Sequence, residues 1–147
     1  MDKLRLTLTE LQELLKQMED LLMEEIKQLS LIKVNPIALQ SISDNKCRLL
    51  SAIDFYDKQR RQIENQNNAI APYTNAPKFF KLWESIVAKT KNTNELNHRS
   101  FVLLEIQMKK MEAFKKLVKD AGMKNSIYAP SGKTEHGAPG QAYNISV

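Results

Sequence analysis

Leucine and methionine recur along the first thirty residues at alternating steps of four and three, as Leu4, Leu8, Leu11, Leu15, Met18, Leu22 and Leu29. Glu25 fills one place in that seam, Leu14 and Leu21 widen it, and Glu13, Lys16, Asp20 and Lys27 lie off it. This spacing keeps one apolar stripe on one side of a helix and turns it toward neighbouring helices. Thr7 and Glu10 have capping-box spacing, but Leu4 already fits the seam and puts the start earlier.

"VNPIA" follows, a stop and a restart in which Asn35 caps and Pro36 opens a second helix. Its seam runs Leu39, Ile42, Leu49, Ile53, Tyr56, Ile63 and Ile70. Lys46, Arg60 and Asn67 interrupt it; such breaks either fix register at a cost in stability or mark where a seam reaches solvent. The polar stretch Asn65 to Pro77 holds two prolines and ends the helix.

A third helix is predicted from near Lys78. Phe79, Phe80, Trp83, Ile86 and Val87 form its aromatic-rich start, and Phe101, Leu104, Met108, Met111, Leu117 and Val118 continue it. Asn92 and Glu95 have the spacing of a second capping box, but the pattern favours one helix of roughly 40 residues, about 60 Å long. After Asp120 the periodicity stops. The expected fold is all-α: an antiparallel bundle or coiled coil of three long helices over residues 1–120, with residues 121–147 as a flexible tail.

Composition sharpens this picture. The chain has 147 residues, enough for one domain burying roughly 68–70% of its unfolded surface. All four glycines (Gly122, Gly132, Gly137, Gly140) fall after residue 121. Tight hairpins usually need glycine at positive φ, so a glycine-free body argues against sheet. The single cysteine, Cys47, cannot form an internal disulfide. The opening "MDKLRLTLTE" lacks the apolar core of a signal peptide. The longest aliphatic or aromatic run, "FVLL", is far short of a membrane span. A cytoplasmic protein is expected.

Net charge is +5, unevenly spread: residues 1–33 carry 5 basic and 7 acidic groups, residues 78–120 carry 10 and 5. Lys109, Lys110, Lys115, Lys116 and Lys119 crowd the end of the third helix against Glu112. A basic coiled-coil adaptor binding nucleic acid is therefore the alternative reading. It would be better supported by arginine clusters with interleaved aromatics. Here an apolar seam continues beneath lysines, which suits an amphipathic helix offered to another helix. Its methionines suit a surface that must adapt to varied partners.

Catalytic signals are weak. "SGKT" lacks the first glycine of a phosphate-binding loop, since that place is Ile127, and no strand precedes it. His98, His136 and Cys47 have no metal-ligand spacing, and solvated histidines and a buried thiol are expected. No nucleophile, base and orienter can be assembled. No enzyme activity, cofactor, metal or small-molecule ligand is expected.

"LLSAIDFYDKQRR" (Leu49 to Arg61), "ELNHRSFVLLEIQ" (Glu95 to Gln107) and the tail's "IYAPSGKT" with its closing "ISV" resemble the FlgN family of flagellar type III export chaperones. The resemblance runs over essentially the whole chain. It implies a chaperone that binds the C-terminal helical segments of hook–filament junction proteins, the first and third hook-associated proteins. Such a chaperone keeps them unassembled and delivers them to the export gate on the inner membrane. Carried onto this chain, the substrate region spans Asn97, Phe101, Leu104, Met108, Met111, Phe114, Leu117 and Val118. The tail tyrosine, Tyr128, would dock on the cytosolic domain of the gate protein FlhA, with Gly132 permitting a turn behind it. Ala129, Pro130 and the lysine-rich third helix depart from the family's pattern and bear on how tightly this tail docks.

Overall fold

A computed structural model describes residues 1–122. Three helices make up this part: α1 (Asp2–Leu29), α2 (Pro36–Asn67) and α3 (Pro77–Asp120). No strand occurs among the described residues. Cross-links fix their directions. Gln12 Nε2 donates to Ser85 Oγ at 2.7 Å, Lys89 Nζ pairs with Glu19 at 3.4 Å, and Gln107 Nε2 donates to the Leu29 carbonyl at 2.9 Å. So α1 and α3 run the same way, and α2 returns between them in sequence. The tail's Tyr128, Gly132 and His136 lie outside the described residues.

The seam expected on α1 is the axis of the core. Leu4, Leu8, Leu11, Leu15, Met18, Leu22 and Leu29 are all buried, and α1 packs against both α2 and α3. One stripe serves two neighbours because Thr7 and Leu14 widen it. Removing a side chain from such a leucine position typically costs about 2–5 kcal/mol. Thr7 does not cap the helix. It sits in the second turn, buried, with Oγ1 donating to the Lys3 carbonyl at 2.9 Å, while α1 starts at Asp2.

Asn35 caps α2 as expected, its Oδ1 accepting from the amides of Ile37 (3.1 Å) and Ala38 (3.3 Å), with Pro36 opening the first turn. Asn68 ends the helix in the left-handed region at φ 51°. That early end takes Ile70 off the seam: it lies in the following loop, exposed.

The three interruptions of the α2 seam have different explanations. Lys46 reaches Glu25 at 3.1 Å and Asn97 at 3.2 Å, joining all three helices in a polar layer. The Ser100 hydroxyl donates to the same Glu25 carboxylate, so the seam's one acidic position is satisfied from two helices. Arg60 is buried within an ion network. Asn67, exposed, merely donates back to the Ile63 carbonyl.

α3 is one helix of 44 residues, about 66 Å long. It does not break at Asn92, whose side-chain amide donates to Glu19 instead of capping. Its buried positions are Trp83, Ile86, Thr90, Thr93, Leu96 and Ser100. Thr90 Oγ1 donates to the Ile86 carbonyl and Thr93 Oγ1 to the Thr90 carbonyl. Each hydroxyl is thus satisfied on its own helix, which lets the side chain sit in the core without an orphaned donor.

Candidate functional site

Two ends of the bundle differ in kind. At the end where α1 begins, Arg60 is buried and forks between carboxylates. Its Nε and Nη2 meet Asp57 Oδ1 at 2.9 and 2.8 Å, and its Nη1 meets Glu64 Oε1 at 2.7 Å. Arg61 adds a second cation on Asp57 at 3.0 Å. Tyr73, from the α2–α3 loop, donates its hydroxyl to Glu64 and stacks edge-on against Trp83.

Burial alone would lower the Arg60 pKa, but the charges and hydrogen bonds of Asp57 and Glu64 outweigh it and raise it. The Tyr73 phenol is pushed up, first by burial and then by its bond to Glu64 and the charge there. This cluster is closed on itself and knits the bundle. Tyr73 sits at φ 60°, a backbone conformation that its packing against Trp83 and Phe79 holds in place.

Among the described residues the opposite end is open. Gln107 stands level with Leu29, where α1 stops, so Met108 to Asp120 project about 20 Å beyond it. Asn97, Phe101 and Leu104 are half-buried against the bundle, Asn97 taking the Lys46 hydrogen bond. Met108, Met111, Phe114 and Leu117 are 47%, 61%, 65% and 68% exposed, and Val118 is half-exposed. All eight substrate-region residues expected from the resemblance therefore lie on one helix, at its joint with the bundle and on the overhang beyond. Five lysines flank the overhang against Glu112 and Asp120.

Chemically, what this surface offers is apolar area rimmed by lysines. Each large apolar side chain there offers about 1.5–3 kcal/mol on full burial. Among the described residues no group of three His, Cys, Asp or Glu side chains could hold a metal ion, and no helix is long and apolar enough to cross a membrane. Cys47 is exposed, not the buried thiol expected, because it falls on the outer face of α2. His98 is exposed on α3.

Sequence reasoning missed Tyr73 and the depth of the Asp57–Arg60–Glu64 cluster. The i, i+3 and i+4 spacing of those charges was the available signal, since oppositely charged residues so placed meet on a helix. It does not say that the face they share is buried.

A model of the family described as FlgN protein matches residues 1–136. The flagella synthesis protein FlgN of Salmonella typhimurium is 29% identical, the match covering 86% of this chain and 91% of that protein. Its counterpart from Escherichia coli K12 is 24% identical, covering 91% of each, and that of Yersinia enterocolitica is 25% identical, covering 71% of each. No solved structure matches the chain.

Proposed function

Because this chain belongs to the FlgN family, whose relatives are flagella synthesis proteins, we propose that it is a cytoplasmic export chaperone for the hook–filament junction proteins. It holds the C-terminal helical segments of the first and third hook-associated proteins on α3 between Asn97 and Val118. It then carries them to the export gate at the inner membrane, where Tyr128 docks on the cytosolic domain of FlhA. Segments of this type polymerise through amphipathic helices, and before assembly they need a temporary partner.

The observation that supports this reading is the bare apolar end of α3. Met108, Met111, Phe114 and Leu117 face solvent on an overhang that has no neighbouring helix among the described residues. Methionine-rich surfaces of this kind re-pack against different clients, as a chaperone with two clients requires.

Calorimetry with peptides covering the C-terminal segments of those two clients tests it. The full chain should bind both, and a chain ending at Gln107 should bind neither while keeping its helicity, because the buried core lies at or before Ser100. Binding should weaken only modestly between about 50 and 200 mM salt, since apolar burial is not screened and the flanking lysines contribute only exposed ion pairs. A nucleic-acid adaptor would instead capture oligonucleotides and lose orders of magnitude in affinity over that range.

A further inference from the structure

The buried core does not run unbroken to the end where α1 stops. Its contiguous part extends from Leu4 to Leu22 on α1, from Leu49 to Ile63 on α2 and from Trp83 to Leu96 on α3. Leu29 and Ile42 are buried too, yet both lie outside it. The polar layer stands between. Glu25 and Lys46, their side chains 12% and 20% exposed, pair at 3.1 Å; Asn97 accepts from Lys46 at 3.2 Å, and the Ser100 hydroxyl donates to Glu25. One level of charge therefore divides a long core from a short outboard section.

That section is lightly built. α2 and α3 each pack on α1, while their own backbones stand apart and meet through side chains. Over residues 36–45 of α2, Ile42 is the one buried side chain, with Ala38, Leu39 and Asn45 half-buried. Ile32, in the turn before them, is fully exposed and tethers nothing. Segments with so little buried apolar contact open locally at low cost.

Spacing shows what these turns cover. On α3, Asn97, Leu104, Met111 and Val118 follow one another at steps of seven, and on α2 Leu39 precedes Lys46 by the same step. Seven residues is close to two turns, so each set keeps to one side of its helix. Lys46 meets Asn97 and the two helices are antiparallel, so Leu39 comes opposite Leu104, and both are half-buried. The start of α2 therefore lies on the same side of α3 that runs on into the overhang at Met111 and Val118.

We propose that residues 36–45 are a displaceable cover: a client helix seated on the overhang extends inward by lifting them off α3 as far as the Glu25 layer. This rests on the client-binding reading above and adds a moving part to it. The client's apolar stripe replaces Leu39 on Leu104, one helical contact exchanged for another. Phe101, one turn from Asn97 toward the overhang, comes within the client's reach. Opening stops at the layer, because parting Lys46 from Glu25 and Asn97 would strand charge in the interior. Asn97 is then a positioning residue that holds the inner limit of the site through Lys46.

Hydrogen exchange on the full chain, with and without a client C-terminal peptide, tests the cover. A short helix stripped of tertiary contacts frays. Amides of residues 40–45 should therefore exchange roughly tenfold or more faster than those of residues 49–63 in the free chain. Client binding should speed them further while slowing residues 101–118. Unchanged or slower exchange over residues 40–45 on binding would overturn the cover and leave the overhang as the whole site. A Glu25→Leu/Lys46→Met variant makes the second test, since apolar residues in the layer merge the two parts of the core without loss of stability. It should slow exchange over residues 40–45 and bind the peptide roughly tenfold more weakly. Equal affinity in a variant so slowed would also overturn the proposal. A full chain that binds no client peptide in calorimetry would overturn the proposed function itself, an outcome distinct from a chain that binds while residues 40–45 stay protected.

Discussion

The Arg60 guanidinium carbon lies 4.7 Å from the centroid of the Trp83 ring, joining α2 to α3 at the end of the bundle where α1 begins. The planar cation is sandwiched in function between an aromatic face and two carboxylates, a combination that arginine satisfies and lysine does not. Removing the guanidinium leaves Glu64 and much of Asp57 uncompensated in the interior. Arg60→Ala should lower the unfolding free energy by about 3 kcal/mol, and Arg60→Lys should recover only part of it. Urea denaturation at neutral pH checks both.

Tyr73 makes the same cluster sensitive to base. Its folded-state pKa is raised, so the unfolded chain releases the phenolic proton first, near pH 10. The stabilisation is complete below about pH 10 and declines as pH rises toward the folded-state value, at most about 1.4 kcal/mol per unit. Tyr73→Phe should be less stable near neutrality by about 1 kcal/mol for the lost hydrogen bond. Its deficit should shrink in alkaline solution, where the tyrosine protein alone pays this linkage. Denaturation curves for the two proteins from about pH 8 to 11 give the comparison.

On the overhang, stability and binding should come apart. Met111→Asp and Phe114→Asp alter exposed positions, so each should change stability by no more than about 0.5 kcal/mol. Each should weaken client-peptide binding by tenfold or more. Thermal melts and calorimetry on the same preparations measure the two quantities.

On the proposed function, Tyr128 serves delivery and not capture. Tyr128→Ala should reduce affinity for the FlhA cytosolic domain by roughly thirtyfold, the scale of a 2 kcal/mol hot-spot residue. Binding of client peptides should be unaffected. Surface-immobilised FlhA domain, probed with both proteins, provides the measurement.

The fold was legible where the apolar spacing was strong. Every leucine and methionine assigned to the α1 seam is buried, and the Asn35 cap, the α2–α3 turn and the single long α3 follow from local chemistry. Ile70 failed because a left-handed Asn68 ends α2 early, and no spacing rule carries that information. Thr90, Thr93 and Ser100 read as polar but are core, since a hydroxyl that bonds back to its own helix, or to a buried carboxylate across the interface, can be buried at little cost. Of the candidate site, the placement of the eight residues on one long α3 was readable and their exposure was not. Which part of an amphipathic stripe goes uncovered depends on where the neighbouring helices stop.

From Lys78 to Asp120 the chain contains neither proline nor glycine, and the helix has no joint where it leaves the bundle. Kinks need such residues or an inserted group. The projecting arm therefore carries no built-in hinge: where it stays helical, Phe114 continues the line set by Trp83, and its heading is taken from the trunk.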